Sequence, residues 1–192
     1  GNIPWSRLDA ASYMLGYWSR TFAEAEEIAE EHRRGLEVGE KRSEYFRKIL
    51  HMLISTEEKV LRLAERYLTL EDLLDIRRRM IGTGLIGGKS VGMLLARAIL
   101  RKDSPESNRL LEQHDSFYVG SDVFYTYLVQ NGYWWMVKQD RQSFLVDESC
   151  ETARRRILTG DFPDYIVKQF ADMLEYFGQS PIIVRSSSLL ED

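Results

Sequence analysis

The sequence predicts an α+β protein that is predominantly helical, with a helical region over residues 1–80 and a mixed region with few short strands over residues 81–192. Apolar residues recur at spacings of three and four through the first region, which is typical of amphipathic helices. A glycine-rich stretch interrupts this pattern at residues 82–88. The candidate strands all follow that stretch, so we place the domain boundary near residue 80.

The first two helices are predicted from their apolar faces. Over residues 12–29, Trp18, Phe22 and Ala25 are among the apolar residues that fall on one side of a helix. Residues 45–53 supply the apolar side of a second helix. Stripes of this kind form a core or an interface far more often than a ligand site, so they indicate structure rather than chemistry.

Two capping boxes predict where the next helices begin. Ser55 with Glu58, and Thr69 with Asp72, both match the Ser/Thr-x-x-acid pattern immediately before an apolar run. We expect the second of these helices to continue over residues 73–80.

The mixed region alternates predicted helices with three short predicted strands. The helices start at residue 91, at 104–106 and at 121–122, and two more cover residues 150–159 and 163–177. The strands are predicted at residues 117–119, 144–146 and 182–184, and Asn131-Gly132 predicts a turn. The Ile-Ile-Val run at 182–184 has the highest β-propensity of the three.

Composition narrows the class of protein. Lys plus Arg number 26 and Asp plus Glu number 30, a net charge of −4, which argues against a general nucleic-acid binder. No apolar run approaches the roughly 20 residues that span a bilayer. The single cysteine, Cys150, cannot form an internal disulfide, and three separated histidines form no zinc motif. We therefore expect a cytoplasmic protein with no membrane or nucleic-acid partner.

The glycine-rich stretch is the first segment that could carry chemistry. Glycines allow a phosphate to approach backbone amides closely, and a helix that follows them offers unpaired N–H groups. Lys89 adds a mobile positive charge. A simple hinge between helical units, with Lys89 exposed to solvent, is an equally good interpretation of this segment alone.

A Walker A loop is a further interpretation of the same stretch. Gly88, Lys89 and Ser90 supply the end of that motif, but its first glycine falls on Thr83. A P-loop also requires a strand that ends just before Gly82, where we predict a helix. These mismatches weaken the P-loop hypothesis without excluding it.

The second segment with chemical potential follows Pro181. A buried strand that ends in Arg185 and leads into Ser186 and Ser187 would offer a guanidinium fork and hydroxyl donors to an anion. The alternative is an edge strand that runs into an ordinary polar turn, with Arg185 in a surface ion pair.

Together these segments resemble a known family. Gly87-Gly88-Lys89 at a helix start, the run from Phe117 to Phe124, and Val184-Arg185-Ser186-Ser187 followed by Glu191-Asp192 occur in the order found in the ATP-binding N-terminal domain of phosphoenolpyruvate synthase and pyruvate phosphate dikinase. The resemblance covers residues 82–192. The ordered set is much more specific than any one of its pieces.

The resemblance implies a partial, ATP-grasp-like nucleotide-binding lobe over residues 81–192. It implies that Lys89 and Arg185 contact ATP phosphates, with Gly87, Gly88, Ser186 and Ser187 in the same site. ATP with Mg²⁺ would phosphorylate a histidine on a downstream domain, for transfer to pyruvate or another acceptor. The magnesium-binding carboxylates, the phosphohistidine and the acceptor site would all lie in domains beyond this chain, so we expect these 192 residues alone to be catalytically inactive.

A non-enzymatic interpretation stays open beside this one. The chain could be a helical interaction or regulatory module that keeps a degenerate nucleotide lobe. Apolar faces left exposed on helices 12–29 and 41–68, or self-association into a homo-oligomer, would favour it.

Overall fold

The computed structural model describes residues 5–111, 115–133 and 149–186, and it describes side chains from residue 15 onward except those of residues 149, 150, 153 and 156. This part of the chain is mainly helical, with one small sheet, as the sequence predicts. In chain order, its elements are α1 (Trp5–Arg33), α2 (Gly39–Leu53), α3 (Glu58–Tyr67), α4 (Leu70–Arg78), β1 (Met80–Ile81), α5 (Gly88–Asp103), α6 (Pro105–Leu110), β2 (Tyr118–Val119), α7 (Asp122–Gln130), α8 (Ser149–Thr159) and α9 (Asp164–Phe177).

The sheet consists of two parallel strands of two residues each. Met80 lies opposite Tyr118, and Ile81 lies opposite Val119. The strand predicted at 117–119 is therefore confirmed. The helix predicted over 73–80 is wrong at its end, because α4 stops at Arg78 and the buried Met80 and Ile81 pair with β2 instead.

One hydrophobic core joins the helical region to the start of the mixed region. Ile49, Leu50 and Leu73 are completely buried in it. Val91 and Tyr118, which lie beyond residue 80, belong to the same cluster. The core therefore extends across the predicted domain boundary, and the division of the chain at residue 80 stays a prediction.

A second, smaller cluster brings the end of the chain to the sheet. Ile81 of β1, Val123 of α7 and Ile166 of α9 are buried together. Phe170 and Met173 pack against them from the same face of α9. This cluster fixes α9, and hence the segment that follows it, beside the sheet.

The two predicted capping boxes have different outcomes. Thr69 Oγ1 accepts a hydrogen bond from the amide of Asp72 at 3.2 Å, and the Asp72 carboxylate accepts one from the amide of Thr69 at 2.8 Å, so the second box is confirmed. The first is wrong: Ser55 Oγ accepts instead from the amide of Glu57 at 2.9 Å, and Glu57 precedes α3 without a side-chain cap. The Ser55 hydroxyl is thus already bonded in a local turn before the helix begins.

The predictions for the C-terminal half are partly confirmed. The helices α8 and α9 lie where expected, and Gly178 ends α9 with a φ of +57°. Residues 131 and 132 form the predicted turn. The strand predicted at 144–146 lies outside the described residues.

The strand predicted at 182–184 is wrong in both structure and burial. The described residues 181–186 have no regular secondary structure, and Ile183 and Val184 are 82% and 88% exposed. No backbone hydrogen bond links residues 182–184 to another described residue. A β-branched run becomes a strand only where a neighbouring strand accepts its backbone groups, and none of the described strands does so here.

Within the described ranges, no helix combines the length and the apolar character needed to cross a membrane.

Candidate functional site

The glycine loop, defined here as residues 82–87, joins β1 to α5. Gly82, Gly84 and Gly87 have φ values of +70°, +96° and +86°, a region that side chains with a Cβ atom rarely adopt. A Cβ on Gly82 would also collide with the side chain of Val123. The loop therefore needs its glycines both for its backbone path and for its packing.

Two pairs of reciprocal hydrogen bonds hold this loop against the start of α7. The amide of Leu85 donates to Ser121 Oγ at 3.0 Å, and the amide of Ser121 donates to the Leu85 carbonyl at 2.9 Å. Thr83 Oγ1 donates to Asp122 Oδ2 at 2.8 Å, and the amide of Asp122 donates to the Thr83 carbonyl at 3.1 Å. Two loop residues, Thr83 and Leu85, are thus fixed to two consecutive residues at the start of α7.

The two ends of the loop are fixed from other directions. The amide of Gly82 donates to Gln169 Oε1 on α9 at 2.7 Å. The amide of Ile86 donates to the carbonyl of Leu53 at the end of α2 at 3.0 Å. The loop is therefore held by the end of α2, by α9 and by the start of α7.

The loop ends at the start of α5, where the predicted site residues begin. Gly87 is the N-cap of this helix, is buried, and provides no side-chain cap. Gly88 and Lys89 form the first turn and are exposed, and that turn contains no acidic residue. A helix start of this kind offers backbone N–H groups and a partial positive charge to an anion.

Lys89 and the C-terminal segment meet at this helix start. Lys89 Nζ lies 3.5 Å from Ser186 Oγ, across 97 positions of sequence. Arg185, the preceding residue, is exposed, and it makes no hydrogen bond or ion pair with another described residue. Ser187 lies outside the described residues. Among the predicted site residues, the structure thus brings together Gly87, Gly88, Lys89 and Ser186 and places Arg185 next to Ser186 in the chain.

A match to a family model shows which protein family this chain belongs to. The model described as "Pyruvate phosphate dikinase, AMP/ATP-binding domain" matches residues 83–192, which is more than half of the 192 residues. The chain belongs to this family. Neither the curated proteins nor the solved structures that were searched provide a match.

The pyruvate phosphate dikinase domain begins, in this match, at the second residue of the glycine loop. It therefore contains the rest of the loop, the whole of α5 with Lys89, and the segment with Arg185 and Ser186. The resemblance drawn from the order of these motifs is confirmed. Membership of this family indicates ATP binding and, for the complete protein, an enzyme of kinase type.

The P-loop hypothesis meets one of its requirements and fails another. A strand does end at Ile81, directly before Gly82, at the place where we predicted a helix. Thr83 still occupies the position of the first Walker A glycine, and β1 has only two residues. Because the matching family is that of pyruvate phosphate dikinase, we do not adopt the P-loop interpretation.

Three residues of this site have roles that the sequence did not predict. Ser121 and Asp122 were expected only as a helix start and as part of the family's motif order, yet they anchor the glycine loop. Gln169 on α9 gave no signal, because a single amide side chain on a helix is not distinctive. Only the packing of α9 against β1 brings it to Gly82.

A cavity of about 240 Å³ lies elsewhere, between α4, α5 and β2. Its charged residues include arginine–aspartate pairs: Arg101 Nη2 lies 3.0 Å from Asp72 Oδ1, and Arg79 pairs with Asp115. Burial raises the pKa of the Tyr118 hydroxyl in its wall. Since these arginines already have carboxylate partners, we assign the phosphate site to the glycine loop instead.

Proposed function

We propose that this chain binds ATP with its phosphates at the start of α5, between Lys89 and the segment that contains Arg185, Ser186 and Ser187. The observation that carries the proposal is the 3.5 Å separation of Lys89 Nζ and Ser186 Oγ. A lysine ammonium and a serine hydroxyl at this distance can donate to oxygens of one phosphate group. Family membership supports a nucleotide as the anion.

The chemistry of these groups suits a triphosphate. The Lys89 ammonium is a point charge on a flexible stem, and the Arg185 guanidinium is a rigid fork that matches two phosphate oxygens. The backbone N–H groups of Gly88 and Lys89, at the start of the helix, are further donors for phosphate oxygens. Such groups would hold and neutralise the phosphates, which is the main contribution that proteins make to phosphoryl transfer.

In the complete protein, we propose that ATP transfers a phosphoryl group to a histidine of a downstream domain, which passes it to pyruvate or another acceptor. The nucleotide would lie between two lobes of an ATP-grasp-type fold, in a cytoplasmic enzyme. Mg²⁺ would enter as part of the ATP complex. In the described ranges no group of three or more His, Cys, Asp or Glu could hold a metal ion, so we assign no metal ligand there.

Calorimetric titration of the chain with ATP tests the site. We expect Lys89→Ala and Arg185→Ala each to weaken binding by at least about ten-fold, because each removes a charged donor. Lys59→Ala is a matched control, since Lys59 is likewise the exposed second residue of a helix, α3. Unchanged affinity in both site variants would refute the assignment.

Turnover measured on the same samples tests the remainder of the proposal. We expect the 192-residue chain to bind ATP without hydrolysing it, because the phosphoryl acceptor is proposed to lie on another domain. Sustained release of phosphate that Lys89→Ala abolishes would contradict this expectation.

The alternative of a helical interaction module gains no support from the apolar faces of α1 and α2. Most of the apolar stripe of α1 and α2 is buried, as Trp18, Phe22, Ile49 and Leu53 illustrate. Exposed apolar faces on these helices would have favoured it, as would self-association. We therefore favour the nucleotide-binding proposal, and self-association of the chain in a sedimentation experiment would favour the interaction module instead.

A further inference from the structure

The contact between the glycine loop and the start of α7 is unusually close. Gly84 lies between the two reciprocal pairs formed by Thr83 with Asp122 and by Leu85 with Ser121. A Cβ on Gly84 would meet Ser121 Oγ, and it would also lie 2.9 Å from Asp122 Cγ. The loop can therefore adopt this position only with glycine at its centre.

The two pairs are not equivalent in their surroundings. The bond from the Leu85 amide to Ser121 Oγ is partly buried, whereas the bond between the Thr83 and Asp122 side chains is exposed to solvent. Water can replace an exposed hydrogen bond at little cost. Loss of the Ser121 hydroxyl would leave the Leu85 amide without its acceptor in a partly buried place, so of the two side-chain bonds this one is the harder for water to replace.

The bond between the Leu85 amide and Ser121 lies close in sequence to the proposed nucleotide site. Leu85 is followed by Ile86, whose amide is bound to Leu53, and then by Gly87, the N-cap of α5. Lys89 lies in the first turn of that helix, four residues after Leu85. The backbone between Leu85 and Lys89 is thus fixed at both ends. A shift of the loop at Leu85 would therefore move the start of α5 and Lys89 with it.

We propose that Ser121 is a positioning residue for the nucleotide site: its hydroxyl holds the glycine loop at Leu85 and thereby sets the position of the α5 start and of Lys89. This inference rests on the proposed function, because it concerns the same site. Ser121 acts through the loop and need not touch the nucleotide.

Titration of the chain with ATP tests this role in three variants. We expect Ser121→Ala to weaken ATP binding by about five-fold, the equivalent of one neutral hydrogen bond. Ser121→Thr keeps the hydroxyl and should retain most of the affinity. Ser43→Ala is the control, because the Ser43 hydroxyl likewise bonds a backbone group, here by donating to the Gly39 carbonyl at 2.9 Å, but lies on α2 away from the loop. Equal affinity of Ser121→Ala and Ser43→Ala would overturn the proposal.

Two further measurements separate positioning from general stability. Amide exchange of Leu85 should accelerate in Ser121→Ala and not in Ser43→Ala. In a Lys89→Ala background, Ser121→Ala should cause a much smaller further loss of ATP affinity, because Ser121 is proposed to act on the nucleotide by positioning Lys89. A full five-fold loss in that background would overturn the positioning role while leaving the site intact. If Lys89→Ala and Arg185→Ala both leave ATP affinity unchanged, the proposed function itself fails.

Discussion

Lys89 Nζ lies 3.5 Å from Ser186 Oγ, although the two residues are separated by 97 positions in the chain. Lys89 is held by the glycine loop at the start of α5, whereas Ser186 follows α9. Ile166 of α9 packs in the cluster that contains Ile81, directly before that loop. The small cluster beside the sheet is therefore what brings the two predicted phosphate-binding segments to one place.

This relationship predicts a graded effect on nucleotide binding. Ser186→Ala should weaken ATP binding by about five-fold, because it removes one neutral donor, whereas Lys89→Ala removes a charge and should cost more. Calorimetric titration measures both. Ser180→Ala, in the same exposed segment but six residues earlier, should leave affinity unchanged. A loss as large in Ser180→Ala would mean that the segment responds as a whole and that the Ser186 hydroxyl has no specific role.

A bidentate ion pair between α2 and α4 predicts a pH dependence of stability. Arg42 Nη1 and Nη2 each lie 2.6 Å from one carboxylate oxygen of Glu71, and this hydrogen bonding lowers the pKa of Glu71 from 4.5 to about 2. The charged form is favoured in the folded state. The stabilisation is therefore complete above pH 4.5 and is lost as the pH falls towards 2.

Urea denaturation of Glu71→Gln checks this dependence. At pH 7 the variant should be less stable by about 1 kcal/mol or less, because the Glu71 side chain is 42% exposed and solvent screens the pair. The difference should vanish near pH 2. Glu58→Gln breaks the longer and more exposed pair with Arg62 and should show almost no change at either pH. A difference for Glu71→Gln that persists at pH 2 would contradict the carboxylate as its cause.

The centre of the glycine loop predicts a steric cost beyond backbone strain. Gly84→Ala combines a φ of +96° with a collision against Ser121 and Asp122, whereas Gly132→Ala has a φ of +71° and nothing within 4 Å. We expect Gly132→Ala to destabilise by roughly 1–2 kcal/mol, the cost of a left-handed residue, and Gly84→Ala to destabilise by more. Chemical denaturation measures both losses, and equal values would show that the loop moves to accommodate the methyl group.

The main core predicts a large loss on truncation. Leu73 of α4 is completely buried, so Leu73→Ala should cost about 2–5 kcal/mol through lost burial and an unfilled cavity. Leu63 of α3 is 40% exposed, and Leu63→Ala should cost much less. Chemical denaturation of the two variants provides the comparison. Similar losses would contradict the assignment of Leu73 to the core.

The predicted helices show how far local signals extend. Thr69 and Asp72 form the capping box expected from their spacing, because both partners lie within one turn of each other. The same spacing at Ser55 and Glu58 did not produce a box, since the Ser55 hydroxyl bonds the nearer amide of Glu57. A local pattern predicts which bonds are available, and competition between neighbouring donors decides which one forms.

The strands show where local signals fail. Met80 and Ile81 follow a helical pattern without interruption, yet they form β1 because β2, more than thirty residues later, offers partners. Ile182 to Val184 have the composition of a strand, yet they are not one, because no described strand pairs with them. Strand formation depends on a distant partner, which propensity cannot detect.

By itself, the sequence determined the helical character of the chain and its family, because helical periodicity is local and the order of motifs lies along the chain itself. The two segments that we propose for phosphate were also predicted from the sequence. Tertiary structure alone decided that Lys89 meets Ser186 and that Ser121 anchors the glycine loop. These contacts link residues 97 and 36 positions apart. They arise from the packing of α7 and α9 against a two-stranded sheet, and packing between distant segments depends on the whole core at once.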